Sequence, residues 1–160
     1  HAFKIRLINV GISASTNADG VDTSATGCNA TGCNVVLGSR NGGVDFEDRV
    51  AREPGIVETL PVNNDGSLDD TACDGFLSRL GIADDLATEA RRIIEALVKV
   101  FRRIDATLIE INPLTLTSEN TFSAIDAKVS IDNNALFRHP EFAGLASSAA
   151  IDPTPYKGSN

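Results

Sequence analysis

The chain has 160 residues, 42% of them hydrophobic, and carries 22 acidic against 14 basic side chains, a formal charge of −8. That is enough for one domain with its own core. A pI near 4.6 argues against the basic patch that a nucleic-acid partner would need and reads as a solvated, soluble surface. No run approaches 18 consecutive apolar residues, so no membrane-spanning helix is expected. No charged segment followed by an apolar one opens the chain in the manner of a secretory signal. With His1 first and no methionine, the polypeptide reads as a processed or excised piece of a longer one. Cys28, Cys33 and Cys73 form no metal pattern, and an odd number fits free thiols in a reducing compartment.

In chain order, Phe3–Val10 alternates apolar residues with Lys4 and Arg6, which predicts a strand with one wet face. Asn17–Gly27 is rich in Asn, Asp, Ser, Thr and Gly and reads as a loop. Ala25–Asn29 is repeated at once as Ala30–Asn34, too short a unit for a solenoid. It reads either as a tandem duplication in a hairpin loop or as an irregularity of the sequence. Val35–Ser39 is a second strand. Gly42-Gly43 then permits a tight or positive-φ turn before a helical turn from about Asp45 to Arg52. Such a turn beside a helix N-terminus can cradle phosphate through exposed N–H groups, or serve as a turn alone. Pro54 ends that turn, Ile56–Val62 is another short strand, and Asn63–Gly66 is a loop.

Two helices follow. Asp69–Leu80 places Ala72, Phe76, Leu77 and Leu80 on one face, with Gly81 in the position that closes a helix. Asp84 or Asp85 is expected to cap the next helix, which runs to about Arg103. There Leu86, Ala90, Ile93, Ile94, Leu97, Val98 and Phe101 form a stripe at helical spacing. The Arg91-Arg92 and Arg102-Arg103 pairs read as solvated charge, the second suiting the helix dipole.

The segment from Asp105 to Glu141 carries the chemistry. Two apolar runs, Ala106–Ile111 and Phe122–Ala127, flank the polar turn Ser118–Thr121, the pattern of a β-hairpin with a four-residue loop. Asn112 and Asp126 lie at similar distances from that turn, so antiparallel pairing brings them to the same end. Pro113 cannot donate to a ladder, so regular pairing is expected to stop there. An amide oxygen and a carboxylate side by side suit Mg²⁺, which is usually bound by one or two protein groups plus waters and substrate phosphates. The same pattern, read structurally, is a polar rim. Lys128 reads as an exposed strand lysine within reach of Asp126 or of a phosphate. Arg138 reads as a bridge to an acidic group, and His139 as a surface or capping residue. The end, from Gly144 to Asn160, reads as an extended linker.

The segments EINPL, AIDAK and DNNALFRHPE resemble the nucleotide-binding domain of succinyl-CoA synthetase β subunits and related acyl-CoA ligases such as malate–CoA ligase. The resemblance is close from about Val35 to about Glu141; the stretch before Asn34 is poorly matched. It implies an α+β, ATP-grasp-like fold, a mainly antiparallel sheet with packed helices, forming the carboxy-terminal half of that domain over residues 1–143, with 144–160 as a tail. It implies that Asn112 and Asp126 are the metal residues, holding the Mg²⁺ of ATP or GTP. Gly42 and Gly43 then lie near the nucleotide. Glu110 is implied as the catalytic residue, facing and orienting a histidine that is transiently phosphorylated on a partner α subunit. The phosphohistidine would activate a carboxylate such as succinate for capture by CoA, itself bound mainly by the partner. Neither nucleic acid nor membrane is an expected partner, and the expected location is the cytoplasm, or the mitochondrial matrix in a eukaryote. The amino-terminal half of such a domain, with its phosphate-binding lysines, and a CoA-ligase domain are not recognisable, so the chain alone is expected to bind Mg–nucleotide weakly. The competing reading is a non-catalytic interaction module that docks a partner through the acidic hairpin.

Overall fold

A computed structural model describes residues 2–10, 33–40, 42 and 54–142. The loop expected at Asn17–Gly27, the repeated pentapeptide up to Gly32, Gly43, the helical turn near Asp45–Arg52 and the tail from Gly144 fall outside these residues.

The strands are β1 (Ala2–Val10), β2 (Cys33–Ser39), β3 (Glu58–Val62), β4 (Ala106–Leu116), β5 (Phe122–Ala124) and β6 (Ala127–Ile131). They form one sheet in the order β3-β2-β1-β4, with β5 and β6 both paired to β4. Every pairing is antiparallel. Helices α1 (Asp70–Arg79) and α2 (Asp84–Arg103) pack on one face. The expected α+β architecture is the one observed.

The alternation in β1 and β4 explains the core. Phe3, Ile5 and Leu7 join Val36, Leu60, Ile109 and Ile111 beneath the helices. The stripe on α2 faces them: Leu86, Ala90, Ile94, Val98 and Phe101 are buried, while Ile93 and Leu97 pack at the margin. On α1 the buried set is Cys73, Phe76 and Leu77, so Cys73, a free thiol, lies deeper than the predicted Ala72. Helix α1 opens with the Asp69 carboxylate accepting from Ala72 N at 2.8 Å. It closes with Gly81 at φ +67°, where Gly81 N bonds Ser78 O and Ile82 N bonds Leu77 O, the paired closure that favours glycine.

Three expectations need correction. Asp84 and Asp85 do not cap α2: its N-cap is Ala83, without a side-chain cap bond. The acidic first turn still suits the helix dipole, and carboxylates of the first and second turns hold the hairpin instead. Asp85 accepts from the Asn120 side chain at 3.2 Å and Glu89 from Phe122 N at 3.2 Å. Arg91 is not solvated charge: its guanidinium clamps Asp70 and Asp74 of α1, each at 2.6 Å, joining the two helices. His139, expected as a surface or capping residue, does cap, its N–H bonding Leu136 O, but it is not at the surface. It ends the 3-10 segment Asn133–Arg138 at 8% exposure, with Nε2 2.7 Å from Asp105 Oδ2. Arg138 reaches the other Asp105 oxygen at 3.0 Å, the expected bridge to an acidic group. Asp105 itself sits at φ +50°, a conformation Asp tolerates better than most, and its carbonyl accepts from Asp132 N. The α2–β4 turn and the segment after β6 are therefore pinned through one residue.

Two stability predictions follow from these contacts. A Cβ on Gly38 would lie 2.5 Å from Phe76 Cζ and 2.9 Å from Leu80 Cδ1, so the glycine lets α1 approach β2. Gly38→Ala is expected to destabilise by about 1–3 kcal/mol through overpacking, read from urea denaturation. The Asp105 carboxyl is held below its ordinary value by the hydrogen bond to His139 and the charge of Arg138. A depressed carboxyl pKa stabilises the fold above the unfolded value of about 3.9 and loses that contribution as pH falls through the folded value. Asp105→Asn should lower the urea midpoint at pH 7, with the gap from wild type narrowing below about pH 4. A gap that is constant with pH would show that the carboxylate charge contributes nothing.

Candidate functional site

β4 carries the site, and its local geometry differs from that expected. The strand does not stop at Pro113; it runs to Leu116. It resumes pairing because a proline lacks the donor but keeps the acceptor: Pro113 O accepts from Ile125 N at 3.1 Å. β1 sets only Lys4 between Phe3 and Ile5, whose partners on β4 are Leu114 and Ile111. Two residues, Asn112 and Pro113, therefore face one, which is a β-bulge. The bulge shifts the phase of the alternation, so that Ile109 and Ile111 enter the core before it and Leu114 after it. On the other side the pairs Ile111–Ala127 and Leu114–Ala124 leave Ile125 and Asp126 across from Pro113 and Asn112. Asn112 and Asp126 thus lie in the middle of a long hairpin closed over residues 117–121, not at its end.

The structure brings Asn112 and Asp126 together: Asn112 N donates to Asp126 O at 3.1 Å. One Asp126 carboxylate oxygen accepts from Ala127 N at 2.9 Å, and the side chain is exposed. Gly42 joins them. Its N donates to Ala2 O, and a Cβ there would lie 2.6 Å from Phe3 O and 3.1 Å from Asn112 Oδ1. Only a glycine lets the backbone pass this close to the Asn112 amide. Gly43 lies outside the described residues.

Glu110 is two residues before Asn112, paired with Arg6 on one side and Lys128 on the other. Its carboxylate meets the Arg6 guanidinium through Oε2 and Lys4 Nζ through Oε1 at 3.3 Å. Lys4 is 2% exposed, and Arg6 and Glu110 12% each. The expected wet face of β1 is therefore not wet. Sequence reading missed Lys4 and Arg6 as site residues. Their alternation along β1 marks a shared face, but only the β1–β4 register shows that this face meets Glu110.

The donor set fits Mg²⁺. An amide oxygen and a carboxylate are hard ligands, and among the described residues no group of three or more His, Cys, Asp or Glu could enclose a metal. A cation here would take the rest of its shell from water and phosphate, which is how Mg²⁺ is ordinarily held with nucleotides.

An antiparallel sheet with helices packed on one face is the architecture of an ATP-grasp fold. Residues 24–116 match the ATP-grasp domain family, and the chain belongs to that family. It is 37% identical over 125 residues to the β subunit of ADP-forming succinate–CoA ligase from Burkholderia thailandensis. The same identity holds for that subunit from Burkholderia mallei and Burkholderia pseudomallei. These alignments cover 78% of this chain and 32% of each relative, so the chain spans about a third of the length of those proteins. Among solved structures it resembles ATP citrate lyase from Methanothrix soehngenii, in complex with citrate and coenzyme A, at a TM-score of 0.57 and 14% identity over 99% of this chain and 30% of that one. A D541A mutant of the Methanosaeta concilii enzyme, with (3S)-citryl-CoA, gives a TM-score of 0.53 at 12% identity over 99% of this chain and 29% of that one. At these identities the likeness concerns the fold.

Because Gly42 abuts the Asn112 amide, Gly42→Ala is expected to displace that side chain and weaken Mg²⁺-dependent nucleotide binding about tenfold, about 1.4 kcal/mol. Titration calorimetry on the intact protein measures it. Unchanged affinity would show that the glycine serves only as a turn.

Proposed function

We propose that this chain is part of the Mg²⁺–nucleotide-binding domain of a carboxylate–CoA ligase of the succinate–CoA ligase type, using ATP or GTP. The observation that supports it most strongly is the direct pairing of Asn112 with Asp126 in a chain 37% identical to succinate–CoA ligase β subunits. Asn112 and Asp126 would hold the metal, whose charge would offset that of the phosphate oxygens. Gly42, where an added Cβ would lie 3.1 Å from Asn112 Oδ1, would set the position of that amide, and Glu110 would face the acceptor.

In this reading the acceptor is a histidine on a partner α subunit. A ring nitrogen lone pair attacks the γ-phosphorus, and the bond to the bridging oxygen breaks with its electrons leaving on the nucleoside diphosphate. The phosphohistidine then passes the phosphoryl group to a carboxylate such as succinate or malate, and CoA, held mainly by the partner, displaces phosphate from the acyl phosphate. The proposed setting is a reducing compartment, the cytoplasm or mitochondrial matrix.

Two comparisons test the proposal. In the intact ligase complex, Asp126→Asn is expected to abolish acid-labile phosphohistidine formation from labelled nucleotide, a loss of at least about a hundredfold, about 2.7 kcal/mol. The 160-residue chain alone should form none and bind Mg–nucleotide weakly. Full activity of Asp126→Asn would sink the catalytic reading and favour a docking module. Saturable micromolar binding of Mg–ATP by the isolated chain would overturn the expectation of weak binding.

A further inference from the structure

Lys128 stands directly across from Glu110 in the register of β4 and β6, so the two side chains share one face of the sheet. That is the position of a cross-strand ion pair, yet the pair is not made. Glu110 turns to β1 instead, where Oε1 meets Lys4 at 3.3 Å and Oε2 meets Arg6. The Lys128 side chain is exposed, and among the described residues no carboxylate pairs with its ammonium.

The proposed metal residues lie one step along the same two strands. Asn112 follows Glu110 by two positions, Asp126 precedes Lys128 by two, and Asn112 N bonds Asp126 O at 3.1 Å. Two residues of strand span about 7 Å, so the Glu110–Lys128 pair lies about that far from the Asn112–Asp126 pair. A metal bound with a nucleoside triphosphate bridges its β- and γ-phosphate oxygens. With the metal at Asn112 and Asp126 and the acceptor at Glu110, the γ-phosphoryl group spans the gap between the two pairs. Lys128 flanks that gap from β6. Its ammonium is a compact charge on a flexible four-carbon stem, and a hydrogen bond from it to a phosphate oxygen is charge-assisted.

We propose that Lys128 contacts the γ-phosphate and so determines the preference of the site for a nucleoside triphosphate over a diphosphate. The proposal rests on the nucleotide reading above and deepens it. Lys128 donates to a γ-oxygen and holds that group between metal and acceptor. A bound diphosphate has no γ-oxygen to offer, so the contact is lost once the group has passed on.

Affinity in the intact ligase tests this, read by titration calorimetry with Mg²⁺ present throughout. The ligands are the β,γ-methylene analogues of ATP and GTP, which cannot pass on the phosphoryl group, compared with ADP and GDP. Lys128→Gln is expected to weaken the triphosphate analogue about tenfold, about 1.4 kcal/mol, and to leave the diphosphate unchanged. Lys128→Arg, which keeps the charge, should restore most of the difference. Should the Gln variant fail to fold, a Lys128 Nζ resonance in the wild type that moves with the triphosphate analogue but not with the diphosphate gives the same answer. Equal triphosphate affinity in wild type and Lys128→Gln, or an equal loss for both ligands, would overturn the proposal. So would weakened association with the partner subunit at an intact triphosphate preference, which would make Lys128 a docking residue. Asp126→Asn separates the two readings. Unaltered Mg–nucleotide binding in that variant sinks the assignment of the metal residues and this proposal with it, whereas a loss there beside an unaffected Lys128→Gln sinks the proposal alone.

Discussion

The bulge on β4 is the constraint on which the candidate site depends. β4 must place Ile109 and Ile111 into the core and then, past Pro113, Leu114 as well. Strict alternation cannot do both, because positions 111 and 114 are an odd number of residues apart. The extra residue opposite Lys4 resolves the conflict. It leaves Asn112 beside Gly42 and across from Asp126 while the core remains filled on both sides of the break. Bulges commonly re-aim side chains next to functional sites, and here the sequence Glu-Ile-Asn-Pro-Leu serves the core and the polar face in the same five residues.

The opposite face of the sheet supplies the rigidity such a site requires. Helix α2 lies across β4 and β1 and is tied to α1 by the Arg91 clamp. Near its start, Asp85 and Glu89 bind the hairpin through the Asn120 side chain and Phe122 N. At its far end, Arg102 donates to Asn64 O, while the Asp105–His139 contact fastens the segment after β6. The two strands that bring Asn112 to Asp126 are thus braced at the loop and at the helix junction. A chelating pair placed on braced strands loses less entropy on binding than one placed on loops.

Much of this was legible in the sequence. Helical periodicity gave both helices, because a stripe such as Leu86-Ala90-Ile94-Val98-Phe101 encodes its own partner face. The Asn112–Asp126 pairing was legible from their similar distances to the turn, although the loop is five residues, 117–121, rather than the expected four. The continuation of β4 was not, since Pro113 reads locally as a stop signal and its carbonyl's bond to Ile125 is a tertiary fact. Arg91, His139 and Lys4 were misread as exposed for a common reason. Each is drawn in by charge pairing with a residue far away in sequence, Arg91 partly with Asp70 and Asp74, His139 with Asp105 and Lys4 with Glu110. No periodicity reports such a partner.

The pairing of Lys4 and Arg6 with Glu110 alters what can be asked of that carboxylate. An isolated carboxylate at a phosphoryl acceptor site acts on the acceptor, stabilising the charge an imidazole gains. A carboxylate bracketed by a buried ammonium and a guanidinium acts on them, fixing cations that would otherwise repel one another across adjacent positions of β1. Charge pairs are screened by water and salt at an exposed surface, but at 12% exposure and below they are screened much less, so Glu110, Lys4 and Arg6 hold one arrangement on this face of the sheet.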